Sequence, residues 1–427
     1  MTDRALAPIA AEPARGAGGA PAEPGPRGLP DEAGSGDLDR GDGPGLAAPA
    51  RLRPRLRAPG RPLAAAPQPP LREHPPFSAL AALGDPMGIW HRTVGIVPDR
   101  RAGYRLDDNA GALVLAAVAH GLGPNDRQAH LLTYAAFVES AWDPQAGTFR
   151  AALGFERVWQ DAPDAEDVNG RAIWALGRTA AEGHDRDIRA WAIDLYDRAL
   201  PALAAIDSPG GLAFLVLGAA AMSRQRPEHR GSARTLATEG ELVAALLDAS
   251  RRPDWAWFDA VLGPEAPRLA QALIEAGEAL ARPDWIDLGL ESLAWAAGHQ
   301  TDAAGGFRPA AGRADGPARS PIDRAAAAAH AAIEASVAAW RVSGEPRWRA
   351  HAERAWTWFV RPGDCGRAPG DLASGRCRGE TVAATLAFQL AHHAMRAFAA
   401  PATGYRGVAG GRNTGRSTPG RTAPVPS

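Results

Sequence analysis

A recurring period of about 57 residues constrains this 427-residue chain more than any other feature. Segments with apolar residues at helical spacing begin near 107, 166, 209, 265, 322 and 379, at steps of 59, 43, 56, 57 and 57 residues. The full set of predicted helices is 107–120, 127–140, 166–183, 186–205, 209–223, 234–249, 265–281, 284–299, 322–343, 346–360 and 379–399, with Gly or Pro in most of the gaps. Two helices of ~15–20 residues and their connections use up about one such period. The repeating unit is therefore an antiparallel helical hairpin, which must stack on its neighbours to bury its apolar faces. Six hairpins can close into an all-α ring, an (α/α)6 toroid. An open superhelical stack is the architectural alternative.

Patterning within the hairpins separates inner from outer members. Ala110–Ala119 and Leu212–Met222 are apolar nearly all round and rich in small residues, as helices enclosed on every side must be. The stretch 187–200 instead puts Ile188, Trp191, Leu195 and Ala199 on one stripe with charges opposite. No stretch alternates with period two, so strands are expected to be rare.

All thirteen tryptophans lie between Trp90 and Trp358, which places the packed domain at 77–400. Residues 1–76 hold sixteen of the thirty-eight prolines and no aromatic residue; both this segment and 401–427 are expected to be disordered.

The formal net charge of −1 leaves no electrostatic footprint for nucleic acid. The longest apolar run, 212–222, is too short to span a bilayer, and the first residues do not read as a secretory signal, so the expectation is a cytoplasmic protein without membrane insertion. Every basic residue is arginine. Lysine-dependent Schiff bases and phosphate loops are thereby excluded. Cys365 and Cys377 have no neighbouring ligands at metal-binding spacing, and neither a metal nor a cofactor is expected.

If the inner helices run parallel, their starts share one mouth, and acids cluster at those starts. Asp107, Asp108 and Asn109 open the first; Glu166, Asp167 and Asn169 the second; Glu265 the fourth; Asp323 the fifth; Glu380 the sixth. Carboxylates in first turns also serve as caps and dipole partners, but two adjacent acids cannot both be caps. Aromatic residues interleave with them: Trp90, His91 and Tyr104 before the first cluster, Phe155 and Trp159 before the second, Trp255 and Trp257 before the fourth. Rings that stack on sugar faces, among carboxylates and guanidinium groups that bond hydroxyls, suit a saccharide cleft. The mid-helix tryptophans Trp174, Trp191, Trp295, Trp340, Trp356 and Trp358 read as core. His330 and the adjacent His392 and His393 suggest an epimerase-like cavity only weakly, because neighbouring helical side chains diverge by about 100°.

Five stretches together resemble a bacterial family of six-hairpin-glycosidase-like proteins: Gly88–His91, Gly103–Asn109, Glu166–Gly177, Asp254–Asp259 and Arg268–Gly277. Members of that family are often classed as glycosyltransferases or occur beside them. The resemblance runs from about Pro86 to Leu390, and Glu166–Gly177 is its most specific part. The chain departs from the family in three places. Gly263-Pro264-Glu265-Ala266-Pro267 stands where the family has Tyr-Asp-Asn-Ala, keeping an acid and losing the Asn; Arg378-Gly379-Glu380-Thr381-Val382 stands for Gly-Ala-Glu-Ser-Thr, keeping Glu380; and Asn109-Ala110-Gly111 stands for Asn-Ala-Arg.

The resemblance implies glycoside chemistry on an oligosaccharide or other glycan. Inverting hydrolysis needs a carboxylic acid and a carboxylate ~6.5–9.5 Å apart. Asp108, Asp167 and Glu265 are the candidates, with Glu380 behind them. Arg171 and Arg268 would hold hydroxyls or fix the carboxylates, beside Trp90, His91, Tyr104, Asp107, Asn109, Glu166, Asn169, Trp255 and Trp257. Two alternatives stand: a non-catalytic sugar-binding or scaffolding partner of a glycosyltransferase, and a helical-repeat interaction protein.

Overall fold

The computed structural model describes residues 74–399, except 120–121, 161–164, 204–205, 259–261, 311–319 and 363–365. Residues 1–73 and 400–427, hence nearly all of the two expected tails, lie outside the described residues, as do Asp259 and Cys365. His74–Pro76 are described, and the Pro76 carbonyl accepts from Gln389 Nε2 at 3.1 Å.

A one-turn helix α1 (Ser78–Ala81) precedes five hairpins, each with one inner and one outer helix. These are α2 (Leu106–Val118) with α3 (Pro124–Ala141), α4 (Ala165–Glu182) with α5 (Arg186–Ala199), α6 (Pro209–Gln225) with α7 (Arg230–Ser250), α8 (Pro267–Leu280) with α9 (Pro283–His299), and α10 (Pro321–Ser343) with α11 (Pro346–Val360). The sixth inner helix, α12 (Val382–Met395), packs on α10, α11 and α1 and closes back onto α2, so the inner helices form a ring rather than an open spiral.

Local chemistry sets the helix starts. Proline occupies the first turn of α3, α6, α8, α9, α10 and α11, where its missing N–H is not needed. Ser208 caps α6 by accepting from Gly211 N at 3.1 Å, and Asp185 caps α5 through Asp187 N and Ile188 N, both at 2.9 Å. Burial follows the inner and outer division. In α6 every residue from Gly211 to Met222 is buried, whereas α5 buries only Ile188, Ala192, Leu195, Tyr196 and Ala199. Trp191, expected on that stripe, lies at its edge and donates its indole N–H to Glu139 at 2.8 Å.

The α4–α6 seam is packed backbone to backbone. Gly170 and Gly177 on α4 face Gly211 and Gly218 on α6. A Cβ at Gly170 would stand 2.3 Å from the Gly211 carbonyl oxygen, and one at Gly177 would stand 2.2 Å from that of Gly218. Only glycine permits this approach.

Strands are more prominent than expected. An antiparallel five-stranded sheet is built from β1 (Gly84–Asp85), β2 (Gly88–Val94), β3 (Val97–Arg105), β6 (Ala152–Leu153) and β7 (Trp159–Gln160), in that order. Short hairpins β4 (Trp142–Asp143) with β5 (Thr148–Phe149), and β8 (Gly370–Asp371) with β9 (Arg376–Cys377), accompany it. The β2–β3 turn is two residues long, with Gly95 at φ 61°, the positive-φ position such a hairpin requires. β3 runs directly into α2, and β5 is bonded to α4 through Asn169, so strands sit beside the starts of two inner helices.

Candidate active site at the N-terminal mouth

Residues of the inner helices, mostly near their starts, and of the turn before α8 meet in two adjoining cavities. One, of about 60 Å³, is lined by Asp107, Asp108, Arg171, Glu265, Arg268 and His330, with Trp174, Phe214 and Leu386 among its apolar walls. The other, of about 190 Å³, adds Asp167, Pro209 and Trp257 while sharing Arg171, Phe214, Glu265 and Arg268. Acids expected at one rim are thus gathered from α2, α4 and the turn before α8.

Arg171 stands at the junction. Its guanidinium is ion-paired with Glu265 and lies 4.1 Å over the Phe214 ring. Burial disfavours its charge, but Glu265 first, then Asp107 and Asp167, outweigh burial and raise its pKa. One arginine therefore feels carboxylates from three separate elements. Asp167 also accepts from the Ser208 hydroxyl at 2.7 Å.

A second group is the pair His91 and Asp108, whose Nδ1 and Oδ2 are 2.7 Å apart. Asp108 is 2% exposed, and burial, then the adjacent Asp107, push its pKa up against the pull of His91. Burial works against a charge on His91, but Asp108 and Asp107 overcome it and raise its pKa. Their hydrogen bond couples the protonation of one to that of the other.

Deeper along the axis, Arg268 is ion-paired with Glu334, donates to Gln271 Oε1 at 3.0 Å and lies 3.3 Å from His330 Nδ1. Glu334 also accepts from Arg178 at 2.9 Å. Burial opposes its charge, but Arg268, His330 and Arg178 hold its carboxyl well below the usual range. Burial, with Arg268 behind it, lowers the His330 pKa against the opposing pull of Glu334 and so favours the neutral imidazole. On the walls of these cavities Arg268 Nε and Trp257 Nε1 are buried donors that face no partner among the described residues.

Several expected site residues are placed elsewhere. Glu380 precedes α12 at the surface, where it pairs with Arg92 at 2.9 Å and lines neither cavity. The buried acid nearby is Asp323, which accepts from the Thr381 hydroxyl at 3.0 Å and ties the start of α12 to α10. Glu166 accepts from Asp207 N and Ser208 N, holding the turn before α6.

Asn109 and Asn169 are matching staples rather than sugar ligands. Each Oδ1 accepts from a backbone N–H twenty residues earlier, Ile89 at 2.9 Å and Phe149 at 2.7 Å. Each Nδ2 donates to the carbonyl four residues earlier, Arg105 at 2.8 Å and Ala165 at 2.6 Å. Trp90 and Tyr104 are buried and stacked on each other, with the Tyr104 hydroxyl donating to Asp85 at 2.7 Å. Trp255 packs edge-on against Trp295, outside both cavities, and Trp257 is a fully buried residue that only borders the larger one.

The lumen also holds residues that the sequence did not single out. Phe214 and Glu334 belong to this set, and Trp174, read as core, walls a cavity. Each lies in a continuous apolar or alanine-rich run, where only its position on a closed ring reveals that it faces inward. Among the described residues no three of His, Cys, Asp and Glu are placed to hold a metal ion, and no helix is long and apolar enough to cross a membrane.

No protein-family model and no curated protein matches the chain. Solved structures do. A sugar epimerase from a ruminal bacterium matches at 12% identity and a TM-score of 0.55, over 76% of this chain and 97% of its own. The cellobiose 2-epimerase of Spirochaeta thermophila DSM 6192 matches at 14% and 0.53, over 77% and 94%. That of Bacillus thermoamylovorans B4167 matches at 10% and 0.52, over 76% and 96%. The closed inner ring and these matches show the fold, an (α/α)6 toroid of helical hairpins.

Proposed function

We propose that the protein is a carbohydrate-active enzyme that takes a terminal sugar unit into the N-terminal mouth of the ring. The observation that carries this reading is the convergence on Arg171 of Glu265, Asp107 and Asp167 over the Phe214 ring. Carboxylates and guanidinium groups bond hydroxyls in both directions while Phe214 and Trp174 offer apolar surface to a sugar face. At about 190 Å³ the larger cavity is below the ~300–1,000 Å³ of drug-sized sites, which favours one ring over an extended chain.

In the hydrolytic form of this reading, the His91 and Asp108 pair supplies the proton to the leaving oxygen. Asp167 or Glu265, across the shared wall, activates water. A specific observation favours a second reaction, epimerisation or isomerisation: the neutral imidazole of His330 lies beside Arg268. A neutral base next to a fixed cation suits removal of a carbon-bound proton alpha to a carbonyl whose oxygen the cation holds. The names of the similar structures, sugar epimerases, agree with it.

Incubation with manno-, gluco- and gluco-manno-oligosaccharides in D2O separates these outcomes. Hydrolysis releases new reducing ends, whereas epimerisation leaves the chain length unchanged and places deuterium on carbon. Binding by calorimetry without turnover would reduce the reading to a sugar-binding partner, as beside a glycosyltransferase. The assignment fails if Asp167→Asn and Glu265→Gln both leave binding and turnover intact.

A further inference from the structure

A larger cavity, about 430 Å³, opens at the opposite end of the ring, where the inner helices finish. Trp174 is a wall of both this cavity and the smaller one at the N-terminal mouth. Glu334 borders the C-terminal cavity while its partners Arg268 and His330 border the others. The lumen is thus two chambers set back to back, with Trp174 and the Arg268–Glu334 pair at the waist.

The walls of the C-terminal chamber are built of paired charges. Arg178 bonds Glu182 at 2.7 Å and Glu334 at 2.9 Å; Arg224 bonds Glu275 at 2.7 Å; Gln271 donates to Glu275 at 2.8 Å. Arg341, also on the wall, pairs with Glu278 at 2.5 Å. The Glu275 and Glu334 side chains are only 7% and 6% exposed, and the buried Nε of Arg178 has no partner among the described residues.

Buried ion pairs contribute little net stability compared with aliphatic packing of the same volume. A fold with no use for this space would close it with leucine. Charge balance narrows what the space takes. The four wall arginines, Arg396 included, stand among Glu182, Glu275 and Glu334, the last shared with Arg268, while Glu278 pairs with Arg341 behind the wall, and the carbonyl ends of the helices add partial negative charge. Neither a free anion nor a free cation is favoured. A neutral molecule with many hydroxyls is, since it accepts from guanidinium edges, donates to carboxylates and lies against Trp174, Leu217 and Val337.

We propose that the C-terminal mouth is a second binding site, for a neutral polyhydroxylated ligand of mono- or disaccharide size. It takes this ligand whether or not the opposite mouth performs chemistry.

Saturation-transfer NMR and calorimetry on the full chain test it, with D-glucose, D-mannose, cellobiose and mannobiose as probes and inorganic phosphate as the charged comparison. Val337→Trp fills the chamber, and Arg224→Leu removes a donor from its partly exposed edge. Glu265→Gln weakens the other mouth. At least one sugar should bind Glu265→Gln protein and lose about tenfold or more in affinity when Arg224→Leu, which removes one charge-assisted hydrogen bond, or Val337→Trp, which fills the chamber, is added. If Val337→Trp does not fold, Arg224→Leu alone decides. The proposal is overturned if no sugar binds Glu265→Gln protein, if binding there ignores the chamber variants, or if phosphate binds more tightly than every sugar. Sugar binding that is lost only on changing the chamber would sustain this site and overturn the reading of the N-terminal mouth.

Discussion

Replacing Glu334 with glutamine should destabilise the protein far more than any surface charge change. Glu334 accepts from Arg268 and Arg178 and lies 3.4 Å from His330. Arg178 retains Glu182 when that charge is lost. Among the described residues Arg268, 2% exposed, retains Gln271, His330 and the Phe214 ring, none of which carries a negative charge. Leaving such a cation buried without its counter-ion costs about 3–5 kcal/mol. At roughly 2 °C per kcal/mol for a domain of this size, Tm should fall by about 6–10 °C. The control is Glu380→Gln. That residue and its partner Arg92 are 57% and 42% exposed, and the pair should be worth less than about 1 kcal/mol. Thermal and urea unfolding of both variants, with the double variant Arg268→Met and Glu334→Leu, make the comparison. Removing both charges should recover about 2 kcal/mol or more relative to Glu334→Gln. A Glu334→Gln shift no larger than that of Glu380→Gln would refute the view that this carboxylate holds Arg268 in the lumen.

Three further outcomes are expected. Asn169→Ala leaves the Phe149 N–H without its acceptor and should cost about 1–3 kcal/mol in unfolding, while sugar binding at a permissive temperature survives. Burial brings the His351 pKa down to about 3, against about 6.5 unfolded; the neutral ring therefore contributes full stability above pH 6.5 and loses it as pH falls. Wild type should lose about 2–3 kcal/mol at pH 4.5 from this group, and His351→Leu should flatten the acid limb of a Tm–pH profile by that amount. Gly177→Ala forces a methyl against the Gly218 carbonyl and should cost about 1–3 kcal/mol, read as a Tm shift.

The helices were legible because each carries its own period and its own stop signals. The segment expected at 209–223 is α6, Pro209–Gln225, and the one at 284–299 is α9, Pro283–His299. Starts were read less well where an acid precedes the helix. Glu265 belongs to a turn before Pro267, and Glu380 lies two residues ahead of α12; in the second case the difference moves the carboxylate out to the surface. Burial of the inner acids was harder to foresee. A first-turn Asp looks the same in sequence whether it points at solvent, at the lumen like Asp107, or at a neighbouring backbone like Asp323. The sheet escaped notice because three of its five strands have only two residues, too few to show alternation. His330 and Glu334 were obscured by the alanines around them, which mark enclosure but not which side faces the axis.

The glycine seam has a consequence for chemistry as well as packing. Packed helices ordinarily keep their axes 8–10 Å apart, and long side chains reach past a neighbour across the lumen, as Arg178 of α4 does to Glu334 of α10. Here α4 is drawn in against α6, and Arg171 passes over the ring of Phe214 to grip Glu265, which belongs to the next hairpin along. Beside that close seam a single arginine touches three consecutive hairpins. The grip of a cation on its carboxylate is thereby set by atoms that four glycines lack.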